Sequence, residues 1–104
     1  MGFEVFTAQV GSGRGPTKIV LGGELDMATA PILEEHLLRA ESDGATTILI
    51  DLRELTFVDS SGLHAFLSAR SRAEMNGRQL LLIGAKAPVR RVFELTGQEL
   101  HLAD

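Results

Sequence analysis

A chain of 104 residues, 44% of them apolar, has material for one modest hydrophobic core and not for two. Its 14 acidic residues outnumber 10 basic ones, and the resulting charge of −4 argues against binding nucleic acid by broad phosphate neutralisation. Five Phe with no Trp or Tyr leave little to stack on bases, and the absence of Cys excludes disulfides and thiolate metal sites. No segment reaches the roughly 18 uninterrupted apolar residues of a membrane span. Met1-Gly2-Phe3-Glu4-Val5 lacks the basic start and apolar stretch of a secretory signal, and Phe6 stands where a myristoylation motif needs Ser or Thr. The expectation is a soluble, cytoplasmic, protein-binding domain with no cofactor.

Phe3–Val10 alternates imperfectly and reads as an edge strand; Gly11–Pro16 breaks it, and Thr17–Leu21 restarts an extended run, together a hairpin. The glycines and Lys18 of this break miss the Walker spacing. From Thr29 to Ala40 the period becomes helical, with Ala30, Leu33, Leu37 and Ala40 on one face and Glu34, Glu35 and Arg39 on the other. Thr29 is the expected N-cap, Pro31 sits in the first turn, and Ser42-Asp43-Gly44 ends the helix. The nearly continuous apolar run Thr46–Leu52 predicts a central strand covered on both faces. After a short link, Phe57-Val58 lead into Asp59-Ser60-Ser61-Gly62 and a second helix. Leu63, Phe66, Leu67 and Ala73 or Met75 point inward on it, and Asn76-Gly77 close it.

Gln79–Ile83 is a buried strand, Pro88 starts a third helix with Val89, Val92 and Phe93 inward, Thr96-Gly97 end it, and Leu100–Leu102 form a last short strand. The order β-β-α-β-α-β-α-β predicts a single α/β domain over residues 1–104. Its sheet is mixed and mostly parallel, with an N-terminal hairpin and helices packed against it. Eight of the ten basic residues are Arg, and the pairs Arg70/Arg72 and Arg90/Arg91 read as solvated helix surface.

The Asp59–Gly62 turn belongs where strands run out and helix N-termini begin, the usual place for function in open α/β sheets. Two readings stand beside each other. Ser60 or Ser61 can cap the helix, with Asp59 favoured near the positive dipole end. Alternatively the turn is a functional site, in which Gly62, at about 1 kcal/mol of lost helix propensity, lets another chain or a nucleotide approach the backbone.

Three blocks carry a resemblance. Gly22-Gly23-Glu24-Leu25-Asp26, the run from Ile48 through Asp59-Ser60-Ser61-Gly62-Leu63, and Ala87–Gly97 resemble the STAS domain, particularly bacterial anti-anti-sigma factors (anti-sigma factor antagonists). In order and correctly spaced, they span most of the chain. The resemblance implies a regulator that is not an enzyme and has no catalytic residues or metal. Ser60 maps to the phosphorylated serine, and Asp59 and Asp26 to carboxylates that lie near it and help kinase recognition or local geometry. Ser61, Gly62 and His64 are their neighbours, with Ser61 the expected cap. The implied partners are an anti-sigma factor serine kinase of histidine-kinase-like ATPase fold and a PP2C-type phosphatase. The unphosphorylated form binds the anti-sigma factor and frees the sigma factor; phosphorylation releases it. Phosphate on Ser60 adds about −1.5 to −2 charge, which the helix N-terminus can accommodate without refolding, so release is expected from local charge and bulk. Chains of this family usually continue past the last strand into a C-terminal helix, whereas this one ends at Asp104.

Other chemistry is weaker. Ser60 and His64 are four apart, but a hydrolase would need an orienting group, an oxyanion hole and the G-x-S-x-G elbow. His36, His64 and His101 fall on different elements, and His101 with Asp104 is a chance pairing. Convergence of Asp26, Asp51 and Asp59 would suggest a receiver domain or a Mg²⁺-dependent hydrolase, yet Glu4 is poorly placed for the former, and Asp51 reads as a structural hydrogen-bonding residue. The remaining alternative is a non-switching STAS scaffold or a nucleotide- or lipid-binding module.

Overall fold

The structure, a computed structural model, describes residues 2–9, 16–95 and 102–103, and the side chains of 2–4 and 16–95 among them. The elements are β1 (Phe3–Gln9), β2 (Thr17–Leu25), α1 (Ala30–Ser42), β3 (Thr47–Val58), α2 (Ser60–Met75), β4 (Gln79–Ile83), α3 (Ala87–Leu95) and β5 (Leu102–Ala103). They form one sheet in the order β1-β2-β3-β4-β5. β1 pairs antiparallel with β2, and every later pairing is parallel. The predicted element order and mixed sheet therefore hold. Val10, the Gly11–Gly15 break, Thr96-Gly97 and Leu100 lie outside the described residues.

Alternation along the strands decides where the core sits. Ile48, Ile50 and Leu52 of β3 are fully buried together with Ile19, Leu21 and Leu25 of β2 and Leu82 of β4. Against them pack Leu33, Leu37 and Ala40 of α1, Leu63, Phe66 and Ala69 of α2, and Val89 and Phe93 of α3. The rings of Phe66 and Phe93 are 5.8 Å apart, so α2 and α3 share one side of the sheet. The inward choice at the end of α2 is Ala73, while Met75 is 85% exposed.

The expectation that β3 is covered on both faces is corrected. All three helices cover one face, and on the other Leu49 is half-buried and Leu81 exposed. Asp51 makes the run look continuous in burial: its carboxylate is ion-paired with Arg53 and with Lys18, the latter at 3.7 Å. Arg53 reaches it across Gly84, whose φ of +75° and lack of Cβ leave room for the Arg53 stem.

The predicted link after Leu52 is also strand. β3 continues to Val58, and β2 continues to Leu25, but the register shifts between Val20 and Gly22 and again between Gly23 and Glu24. Each shift inserts one extra β3 residue, a bulge that breaks period-two alternation and hides the strand from a pattern search. Among the described residues no helix is long and apolar enough to cross a membrane.

Candidate functional site

The two central strands finish side by side. Leu25 and Val58 are their last paired residues, and the Asp59 amide donates to the Leu25 carbonyl at 3.1 Å. Both following turns are therefore held at the same edge of the sheet. Asp59 is extended (φ −111°, ψ −171°), and its Oδ1 accepts from the amides of Ser61 at 2.9 Å and Gly62 at 3.2 Å. The Asp59 carbonyl accepts from Leu63 at 3.0 Å. Asp59 is thus the N-cap of α2, which corrects the expectation that Ser61 caps it. A carboxylate two residues earlier reaches two orphan amides at once and adds favourable charge at the dipole's positive end.

Relieved of capping, Ser60 is the exposed first residue of α2, and its hydroxyl makes no hydrogen bond among the described residues. Ser61 is half-buried beside it. Gly62 is buried, and a Cβ on it would stand 2.7 Å from Leu25 Cδ2, Leu25 Cγ and Val58 Cγ2. The close approach that this glycine permits is thus internal, of α2 onto β2 and β3, rather than of another chain or a nucleotide. His64 follows one turn later, exposed on the same side as Ser60.

Asp26 performs a parallel task in the neighbouring turn. Its Oδ1 accepts from the amides of Ala28 (3.0 Å) and Thr29 (3.1 Å). Thr29 occupies the N-cap position of α1 but makes no side-chain cap bond, contrary to expectation. Its hydroxyl instead donates to the Glu24 carbonyl and accepts from the Asp26 amide. The Asp26 carboxylate is therefore turned into its own loop, bracing the segment that carries Met27.

Between the two turns lies an open groove of about 550 Å³. One wall is Met27, Ala30, Pro31 and Glu34; the other is Ser60, Ser61, His64 and Ala65. Met27 is 77% exposed and faces the groove that Ser60 also lines. Glu34 is tethered behind the groove by Arg72 Nη2 at 2.5 Å, and Arg72 Nε also holds Glu41 at 2.8 Å. Arg72 is thus a clamp between α1 and α2 rather than solvated surface, and Glu41, with Glu34, raises its pKa further above the ordinary arginine value.

Sequence reasoning missed Met27, Ala30, Pro31 and Ala65 as site residues, since three of them read as ordinary helix positions. Glu34, on the polar face expected of α1, is tied to Arg72 of α2, a partner 38 residues away that no local spacing signals.

The three aspartates do not converge. Asp51 lies eight residues before Asp59 in β3, on the open face, where the Arg53 hydrogen bond holds its carboxyl below the usual range despite burial. No group of three His, Cys, Asp or Glu able to hold a metal occurs among the described residues. His36 lies half-buried on α1, and the His101–Asp104 pair falls outside the described residues.

Residues 10–101 match the STAS domain. The chain belongs to the STAS family. This STAS domain is 35% identical over 80 residues to the anti-sigma-B factor antagonist of Staphylococcus aureus, covering 77% of this chain and 74% of that one. It superposes on the anti-sigma factor antagonist SpoIIAA in its unphosphorylated form with a TM-score of 0.82 at 27% identity, over 99% of this chain and 87% of that one. An anti-sigma factor antagonist from Mycobacterium paratuberculosis gives a TM-score of 0.79 at 26% identity, over 92% and 79% of the two chains. The domain therefore groups with the anti-sigma factor antagonists, which are regulators and not enzymes.

Proposed function

We propose that this STAS domain binds an anti-sigma factor in the cytoplasm, freeing the sigma factor, and that phosphorylation of Ser60 switches the binding off. The observation that carries the reading is the division of labour at the turn. Asp59 takes the capping role and leaves the Ser60 hydroxyl exposed at the rim of a mostly apolar groove. The partner is an anti-sigma factor that is itself a serine kinase of histidine-kinase-like ATPase fold, and a PP2C-type phosphatase resets the site. Asp59 positions the acceptor by fixing the first turn of α2, and Asp26 braces the Met27 wall.

The unmodified surface offers a partner Met27, Pro31 and the neutral Ser60 hydroxyl. A phosphate there carries about −1.5 to −2 charge beside Asp59 and across from Glu34. Two of the helix amides that could have absorbed it already bind Asp59. Burying that group against a partner is unfavourable, and a difference of about 3–4 kcal/mol weakens binding several-hundred-fold. Isothermal titration of the unmodified chain and of chain carrying phosphoserine at position 60 against the anti-sigma factor tests this, with equal affinities sinking it. Phosphate-affinity electrophoresis after incubation with kinase and ATP assigns the acceptor: the shift is lost in Ser60→Ala and kept in Ser61→Ala.

A further inference from the structure

The reading of Ser60 as a phosphoacceptor raises a question of local chemistry, namely what holds the phosphoryl group once it is attached. An N–H donor is what a helix start ordinarily supplies, but here the amides of Ser61 and Gly62 are filled by Asp59 Oδ1. The opposite wall supplies Glu34, an anion engaged by Arg72 from the side away from the groove. Asp26 contributes a second anion, turned into its own loop. Met27, Ala30, Pro31 and Ala65 offer no polar side chain. Among the described residues lining the groove, His64 has the one side chain able to carry positive charge, and it stands four residues after Ser60 on the same wall. Residues at i and i+4 of a helix face one another at contact distance.

We propose that His64 is the phosphoryl-binding residue of this site. Its imidazole donates a ring N–H to an oxygen of phosphorylated Ser60 and holds the group along the wall of α2. No bond to phosphorus is made or broken by His64; it acts on the product of phosphorylation. The contact biases the phosphate toward the groove, in front of the Met27–Pro31 wall.

Because the proposal rests on the Ser60 reading, its test bypasses the kinase. Full-length chain is made with phosphoserine placed genetically at position 60, in wild-type background and with His64→Gln. The phosphoserine ³¹P resonance is then followed by NMR from pH 4.5 to 8. An i,i+4 ion pair worth a few tenths of a kcal/mol corresponds to about 0.2–0.4 pH unit, because the midpoint reports the single charge by which dianion and monoanion differ. The titration midpoint is expected to lie lower by this amount in the chain that keeps His64 than in the His64→Gln chain, and the gap is expected to shrink in 1 M salt. Equal midpoints in the two chains would overturn the proposal. His64 is exposed, so the variant folds, which circular dichroism verifies. The two readings separate cleanly: a midpoint gap alongside undiminished partner affinity rejects the switch but keeps the His64 contact, and the converse result rejects the contact alone.

Discussion

Replacing Gly62 with alanine tests whether the turn is built for internal packing. The added Cβ would sit 2.7 Å from two atoms of Leu25 and one of Val58, side chains that are 0% and 2% exposed. Carbon pairs rest at about 3.5–4.0 Å, so α2 must lift, or the two side chains must shift, by roughly 1 Å. Overpacking of this kind costs about 1–3 kcal/mol, against at most about 1 kcal/mol gained in helix propensity. Three contacts at 2.7 Å with two buried side chains put this site in the upper half of that range, about 2–3 kcal/mol. The expected net loss is therefore about 1–2 kcal/mol, which for a domain of this size lowers the Tm by roughly 5–15 °C. With no Trp or Tyr in the chain, far-UV circular dichroism in urea and on heating is the suitable probe. A Gly62→Ala protein as stable as wild type, or more so, would refute the packing argument. A second control isolates the contact: combining Gly62→Ala with Leu25→Ala should destabilise by less than the sum of the single changes, because the truncated Leu25 no longer meets the new methyl.

Three other changes probe the surroundings. Asp59→Ala leaves two amides of α2 without their acceptor and should cost about 1 kcal/mol in urea melts, whereas Asp59→Asn, which can still cap, should cost less. Arg72→Ala removes the link from α2 to Glu34 and Glu41; for a side chain 29% exposed the loss should stay near about 1 kcal/mol, and it should shrink when melts are repeated in 1 M salt. Asp51 has its folded pKa depressed, chiefly by the Arg53 hydrogen bond, so its contribution is complete above its ordinary value of 3.8 and is lost as pH falls through the folded value. The stability gap between wild type and Asp51→Asn should accordingly be constant from about pH 6 to about 5 and close below about pH 4; a gap unchanged down to pH 2.5 would contradict the ion-pair account.

Much of this molecule is readable from residue periodicity. The helical spacing of Leu33, Leu37 and Ala40 becomes the expected helix because one buried face imposes one period. Gln79–Ile83, by contrast, is the expected strand but not a buried one: only Leu82 is buried, since the helices cover a single face of the sheet. Reading fails where two periods compete or where partners are remote in sequence. The stretch Arg53–Thr56 looks like a linker because two bulges turn successive side chains outward, although the backbone stays paired to β2. Asp51 resembles an interruption in an apolar run until Lys18 and Arg53 are seen around it. At the site, the sequence points to Ser60 or Ser61 as the cap of α2, and nothing in it puts Asp59 ahead of them. The choice follows from the bond between the Asp59 amide and Leu25, which sets the angle at which the chain enters the helix. Arg72 was opaque for a different reason: its partners lie 31 and 38 residues away on another helix.

The strands stand in the sheet in the order in which they occur in the chain. During synthesis each new βα unit therefore emerges next to its finished neighbour, and no strand has to be threaded between two already paired. β2, α1, β3 and α2, which carry both turns and both walls of the groove, are complete before α3 exists. Sequence change in β5 thus alters an outer edge of the sheet, whereas change at Val89 or Phe93 of α3 reaches the shared core and, through Phe66, the helix that carries Ser60.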